Sequence, residues 1–501
     1  MTRPGSQLGV VAAGHPVSAR AGADAMRDGG NAVDAALGAM LASFACEPLL
    51  TGLGAGGYML VVSPEDPEPI LLDFFVEAPG RGFDAAQRCE LMPVRISFGD
   101  AIQVFNIGAA SVGTFGMPAG VCEAARRFAR LPLARLVAPA AALAREGVPL
   151  NAQQAYIVEI LGAIVTANPE AAALFAPGGV LLAAGQRMRQ PELGDALERL
   201  GAEGDAPFYA GDIGAAIVSW LGERGGSVTH ADLMAYEVID REPVRVAYRG
   251  RDVLTNPPPS AGGILIARAL AMLDRTPGPP SVTEVVDVME RTQSERTPEF
   301  LAGLGDPGFV ERFLMRPAGR LGSTTHIAAL DRDGWACSVT CSNGSASGVV
   351  VPGTGVHLNN MLGEQDLNPL GFHRHPPGRR LPSMMAPTIV LREGAAELAV
   401  GSAGSNRIRS AILQTIIHAI DDGLAAQGAV DAPRVHFEDG VVYTEPGTDA
   451  DALVRAGRSL GPFRERNLFF GGVQAVARDG AGQFSGGGDP RRGGAAVVVG
   501  A

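Results

Sequence analysis

The residues in this chain best suited to chemistry open a strand-like run. Gly322-Ser323-Thr324-Thr325-His326 leads into Ile327-Ala328-Ala329-Leu330-Asp331, and Asp333-Gly334 offers a hairpin turn before Trp335-Ala336-Cys337-Ser338-Val339-Thr340. A Thr-Thr pair alone says little, because threonine is a good strand residue. A threonine hydroxyl is also a poor nucleophile until a nearby base takes its proton. The polar set that follows gives the pair weight. Thr340-Cys341-Ser342-Asn343-Gly344 ends the hairpin partner, and Leu358-Asn359-Asn360-Met361-Leu362-Gly363-Glu364 follows a Gly- and Pro-rich turn. Arg379-Arg380-Leu381-Pro382-Ser383-Met384-Met385-Ala386-Pro387-Thr388 precedes a strand, and Val400-Gly401-Ser402-Ala403-Gly404-Ser405-Asn406-Arg407 joins a strand to a helix. Backbone N–H groups at such a junction can stabilise an oxyanion.

Other patterns match motifs in letters but not in context. Gly52, Gly54 and Gly57 satisfy GxGxxG, yet a dinucleotide fingerprint follows a strand and opens a helix, and this one does the reverse. It reads as a loop where backbone must come close to something else. Gly457-Arg458-Ser459-Leu460-Gly461 fits G-x-S-x-G but lacks the strand before and the helix after, so it reads as a helix end. His373 and His375 sit in a Pro-flanked loop without a third ligand nearby. The pairs Arg379-Arg380 and Arg491-Arg492 read as solvated.

Several elements must position these residues. Val10–Ala13 reads as a strand, Ser18–Arg27 as a helix stopped by Gly29-Gly30, and Asn31 as the cap of an apolar helix from Ala32 to Phe44. Tyr58–Val62 and Ile70–Phe75 read as strands, Val121–Glu146 as one helical stretch, and Gly262–Leu273 as a helix after Asn256-Pro257-Pro258-Pro259-Ser260. Glu284–Glu299 is charged and helical, followed by turns at Gly305-Asp306-Pro307 and Arg316-Pro317-Ala318-Gly319. Beyond Thr324 strands dominate, interrupted by helices around Ala411–Ile417 and Asp449–Arg458. Strands in both halves with helices flanking them predict a layered α/β protein.

A chain of 501 residues with 46% hydrophobic content can bury a large core. Its net charge of −12 argues against a nucleic-acid surface. Cys46, Cys89, Cys122, Cys337 and Cys341 show no metal or disulfide spacing and read as buried small residues of a reducing compartment. Met1-Thr2-Arg3-Pro4-Gly5 does not read as a secretory signal, and the apolar run to Cys46 contains Asp34 and is too short to span a bilayer. The expectation is a cytoplasmic protein with no membrane partner and no cofactor or metal.

Seven segments taken together resemble the γ-glutamyltranspeptidase (glutathione hydrolase) family, over nearly the whole chain. They are Gly29–Ala36, Gly52–Gly57, Asn256–Ser260, Thr324–His326, Gly353–Gly355 with Leu358–Asn360, Ala386–Val390, and Asp489–Arg491. The resemblance implies an N-terminal-nucleophile hydrolase, α/β (α+β) in class, with a four-layer αββα sandwich. It implies one chain that cuts itself between Ser323 and Thr324, leaving 1–323 and 324–501 as a heterodimer forming one compact unit. The cut gives Thr324 a free α-amino group, whose unperturbed pKa lies near neutrality, so one residue supplies both nucleophile and base. By family position Thr324 is the nucleophile, Ser342 bonds the freed amine, and Gly404 and Ser405 offer oxyanion-binding N–H groups. Asn343, Glu364 and Ser383 fall near positions that hold a glutamyl head.

The departures concern substrate. Where the family has Asp-Phe-Arg-Glu-x-Ala-Pro this chain has Asp73-Phe74-Phe75-Val76-Glu77-Ala78-Pro79, so Phe75 replaces the arginine that clamps the glutamyl α-carboxylate. Met384 replaces a second carboxylate-binding serine, and Met361 stands where a polar residue usually meets the α-amino group. Arg81 and Arg95 are candidates to replace the clamp. The first reading is a γ-glutamyl hydrolase or transferase acting on a small amide or peptide; the alternative is an acylase whose acyl group lacks a free α-carboxylate, and a third is an unprocessed, silent homologue.

Overall fold

The computed structural model describes residues 7–97, 102–295, 324–365, 367–368 and 371–500. Ser323, the end of the expected 284–299 helix and the turns at 305–307 and 316–319 lie outside the described residues.

Thirteen strands build two antiparallel sheets. In chain order they are β1 (Gln7–Ala13), β2 (Gly56–Val62), β3 (Ile70–Phe74), β4 (Ile239–Arg241), β5 (Val244–Tyr248), β6 (Arg251–Thr255), β7 (Thr325–Asp331), β8 (Ala336–Ser342), β9 (Thr388–Arg392), β10 (Ala395–Ala403), β11 (Gly472–Arg478), β12 (Phe484–Gly488) and β13 (Ala495–Gly500). The seven-stranded sheet runs β13-β1-β7-β8-β2-β3-β4 and the six-stranded sheet β12-β11-β10-β9-β6-β5. Each sheet mixes strands from before and after Thr324. The sheets pack face to face through Val10, Ala12, Tyr58, Leu60, Ala328, Leu330, Ile389, Ala399 and Val476. Helices α1 (Pro16–Arg27) and α2 (Ala32–Cys46) cover the outer face of the first sheet, and Ala261–Leu273 and Arg407–Ile420 that of the second. The layer order is αββα. Covered on both faces, β2, β7 and β8 are buried throughout, as such strands must be.

Local signals explain the framework. Asn31 caps α2 by accepting from the Val33 and Asp34 N–H groups, and Asp34 returns the bond to the Asn31 N–H at 2.8 Å. Asp34 also accepts from the Arg130 and Leu131 N–H groups, both at 2.9 Å. The expected helix over 121–146 is therefore two, Met117–Phe128 and Leu133–Glu146. Those N–H groups point at Asp34, and Pro132 has none to give. The GxGxxG loop is a close approach, as its context implied. A Cβ on Gly54 would collide with the His357 carbonyl, and one on Gly57 would lie 2.6 Å from the Thr340 carbonyl oxygen.

The structure differs from two further expectations. Cys89 is exposed and Cys122 half-buried, while Cys46, Cys337 and Cys341 are buried. Arg380 and Arg491 are buried rather than solvated. Arg380 reaches Glu77 at 2.6 Å and Asp73 at 3.2 Å, and Arg491 bonds Glu445 at 2.7 Å and Asp489 at 3.2 Å. Asp489 is two residues from Arg491, but Glu77, Asp73 and Glu445 lie far away in the chain, so the sequence pairs could not show them.

Candidate active site

Thr324 immediately precedes β7. Thr325 pairs with Cys341 across the β7–β8 ladder, so one step further the register sets Thr324 against Ser342. The alternation of the strand turns Thr325, Ile327 and Ala329 toward α2, and His326, Ala328 and Leu330 toward the second sheet. Thr324 falls on the second side. There it lines a pocket with Ser342, Gly344, Glu364 and Ser383, whose apolar walls are Phe75, Met361, Leu367, Met384, Met385 and Ile408.

Each wall has a distinct brace. Phe75 follows β3, stacks on Tyr58 with ring centroids 5.3 Å apart, and donates its N–H to Asp73 at 2.9 Å. The Ser383 hydroxyl accepts from the Met385 N–H at 3.0 Å, while its carbonyl accepts from the Ala261 N–H at 2.7 Å. Ser260 and Asn256 both donate to the Met385 carbonyl, at 2.7 and 2.8 Å. The Pro-rich segment thus holds the Ser383–Met385 wall. Glu364 Oε1 accepts from both the N–H and the hydroxyl of Ser345 at 2.8 Å, and Asn360 donates to that hydroxyl at 3.0 Å. Burial pushes the Glu364 carboxyl up from its usual range, against the Ser345 bonds. Gly344 passes between them at φ 64°, where a Cβ would strike Asn360 Oδ1.

Gly404 and Ser405 form the turn from β10 into the helix Arg407–Ile420. Both have positive φ, 113° and 71°. A serine there is strained, of order 1–3 kcal/mol, a cost typically met at functional turns. The Gly404 and Ser405 carbonyls accept from the Arg407 and Ile408 N–H groups, so the turn is bonded to the helix whose Ile408 lines the pocket. Gly404 and Ser405 themselves are not in the lining.

Of the seven residues singled out from sequence, the pocket brings together Thr324, Ser342, Glu364 and Ser383. Asn343 is turned elsewhere. Its N–H donates to the Leu50 carbonyl at 2.8 Å and its side chain to the His357 carbonyl at 3.4 Å. Neither candidate replacement for the arginine clamp reaches the pocket: Arg81 lies by Glu77 and Asp232, and Arg95 is exposed on the strand Met92–Ser97. Glu364 is the only ionisable side chain in the described lining. His326, unassigned from sequence, lies between the sheets with its ring against Gly401. Its Nδ1 meets the Thr340 hydroxyl at 2.8 Å, and Ser338 beside it donates to the Val400 carbonyl and accepts from the Thr388 N–H. Burial lowers the His326 pKa to about 3, so the ring is neutral. Among the described residues no group of three or more His, Cys, Asp or Glu is placed to hold a metal. No described helix is long and apolar enough to cross a membrane.

The gamma-glutamyltranspeptidase family model matches residues 18–499. The chain belongs to the gamma-glutamyltranspeptidase family. The chain is 30% identical to the acylase ACY 1 proenzyme of Pseudomonas sp. (strain V22), over 98% of this chain and 93% of that protein. It is 28% identical to the glutathione hydrolase proenzyme of Bacillus subtilis (strain 168), over 98% and 91%. The structure resembles cephalosporin acylase from Bacillus halodurans with a TM-score of 0.83 at 26% identity, covering 99% of this chain and 97% of that one. Relatives named for two activities, acylase and glutathione hydrolase, therefore match this chain over nearly its whole length.

Proposed function

We propose that this chain is a self-processing N-terminal threonine amidohydrolase whose acyl group lacks a free α-carboxylate. The observation that carries the choice is the lining. Phe75, Met361 and Met384, the three departures from the glutamyl-binding pattern, all face the pocket, and no arginine or lysine is in its described lining. A carboxylate placed there would be desolvated without a cation, whereas an apolar acyl chain gains from the same walls. Acylase relatives at comparable identity support this reading. Glu364 and the glutathione hydrolase relatives support the second reading, a γ-glutamyl hydrolase or transferase.

Cleavage between Ser323 and Thr324 frees the Thr324 α-amino group. That amine takes the hydroxyl proton as Oγ attacks the amide carbonyl, and the N–H groups of the Gly404–Ser405 turn stabilise the oxyanion. The proton then passes to the leaving amine as the C–N bond breaks. The Oγ ester is resolved by water, which returns a proton and releases the acid, or by a second amine. Ser342, opposite Thr324 in the ladder, hydrogen-bonds the α-amine and orients it.

The test compares γ-glutamyl nitroanilide with straight-chain acyl nitroanilides on the processed protein. Faster turnover of the neutral acyl compounds is expected. A kcat/KM for the γ-glutamyl compound ten times above every neutral acyl compound would favour the second reading instead.

A further inference from the structure

Behind the Thr324 strand, on the face away from the pocket, lies a buried carboxylate that the proposed chemistry does not use. Glu47 follows α2, and its Oε1 accepts from the Thr325 hydroxyl at 3.2 Å. Its Oε2 is buried with no hydrogen-bond partner. The same short loop holds the neighbouring strand end. The Leu50 carbonyl accepts from the Asn343 N–H at 2.8 Å, and the Thr51 hydroxyl donates to Cys341 Sγ at 3.2 Å. Residues 47–51 therefore clasp β7 and β8 at the end where Thr324 and Ser342 face each other. Gly14 leaves room for this contact: a Cβ there would strike Glu47 and lie 2.8 Å from Thr325 Oγ1.

An ordinary occupant of such a site is apolar, because a buried carboxyl lacking a close cation is costly. We propose that Glu47 is a positioning residue for Thr324, fixing the start of β7 through Thr325 and placing negative charge behind the α-amino group that acts as base. The inference rests on the reading of Thr324 as the mature N-terminus. An anion beside an ammonium favours its charged form, so Glu47 helps set the pH at which the amine becomes free to accept a proton. Burial raises the Glu47 carboxyl to about 7. It then ionises in the same range as an α-amino group, and the two titrate as a coupled pair. The ionisable groups around Glu47 are Cys46 on its own helix, Cys341 on β8, Arg492 before β13, and His15 next to Gly14. Burial holds both thiols neutral and lowers His15 to about 4, leaving Arg492 as the cation that acts on Glu47.

The experiment uses Glu47→Gln and Thr325→Val in the full chain. N-terminal sequencing of the wild-type small fragment first decides the underlying reading on its own: a fragment that does not begin at Thr324 refutes that reading, and this inference with it. Profiles of kcat and KM against pH, with a straight-chain acyl nitroanilide, then test Glu47. Glu47→Gln keeps an acceptor for Thr325 but removes the charge, so the acidic limb of kcat should move down by about one pH unit. Thr325→Val keeps the charge and breaks the bond, so kcat should fall with KM and the limb unchanged. If Glu47→Gln does not mature, Glu47→Asp, which withdraws the charge by one methylene, should give a smaller shift in the same direction. An acidic limb at the wild-type pH in processed Glu47→Gln, or in Glu47→Asp where only that matures, overturns the proposal.

Discussion

Replacing Phe75 by arginine reverses the departure that most bears on substrate. Phe75 is 1% exposed, stacks on Tyr58, and faces Met361 and Met384 across the pocket. Truncating a buried phenylalanine typically costs about 3–5 kcal/mol, and the arginine stem recovers part of that by filling the same space. Arg380 nearby cannot help the substrate, because Asp73 and Glu77 already hold it. A charged hydrogen bond to an α-carboxylate contributes about 1.5–3 kcal/mol, which is roughly ten- to a hundredfold in kcat/KM. The decisive assay is a ratio, γ-glutamyl nitroanilide over 4-aminobutyryl nitroanilide, since the two differ only in that carboxylate and general damage cancels. Phe75→Arg should raise the ratio about tenfold or more, and adding Met384→Ser should raise it again. Phe75→Leu should leave it unchanged. A ratio that stays within about threefold of wild type, in a Phe75→Arg protein that still melts cooperatively, would refute the assignment of this wall to the acyl group.

Other outcomes follow from the same geometry. Thr324→Ala should remain one full-length chain on denaturing electrophoresis after long incubation and should not turn over any amide. Glu364→Gln should lower kcat/KM for 4-aminobutyryl nitroanilide relative to butyryl nitroanilide about tenfold, since it removes the only ionisable group in the described lining. Glu47 is raised from 4.5 to about 7 on folding, so the folded state takes up the proton more readily. Its contribution is fully present below pH 4.5 and is lost as pH rises through about 7, up to about 3 kcal/mol. Denaturant unfolding at pH 5 and pH 8 should show that loss in the wild type and little of it in Glu47→Gln. Arg491→Met should cost about 3–5 kcal/mol by the same measurement, because it leaves Asp489 and Glu445 buried with a missing partner.

The parts of the site that were legible from sequence are those set by short-range patterns. The Asn31 cap, the alternation after Thr324 and the Asp333-Gly334 turn place α2, β7 and β8 directly, and the ladder between those strands puts Thr324 against Ser342. Long-range pairings were not legible. Nothing near Phe75 in the chain reveals that Met361 and Met384 share its pocket, although the family pattern flags all three. Asn343 missed the pocket because the short turn after Ser342 is governed by Leu50 and His357, residues of other segments. Glu47 carries no local signal beyond being an acidic residue after an apolar helix; only the packing against Thr325 makes it conspicuous.

The central claim is that Thr324 becomes a free N-terminus and carries the acyl group. Its most direct test is intact-mass spectrometry of protein quenched in acid during turnover of a slow acyl ester. The account predicts two fragments, one beginning at Thr324, with the acyl mass added on that fragment and mapped to its first residue. A full-length chain that turns the ester over, or an acyl group on any other residue, would contradict it.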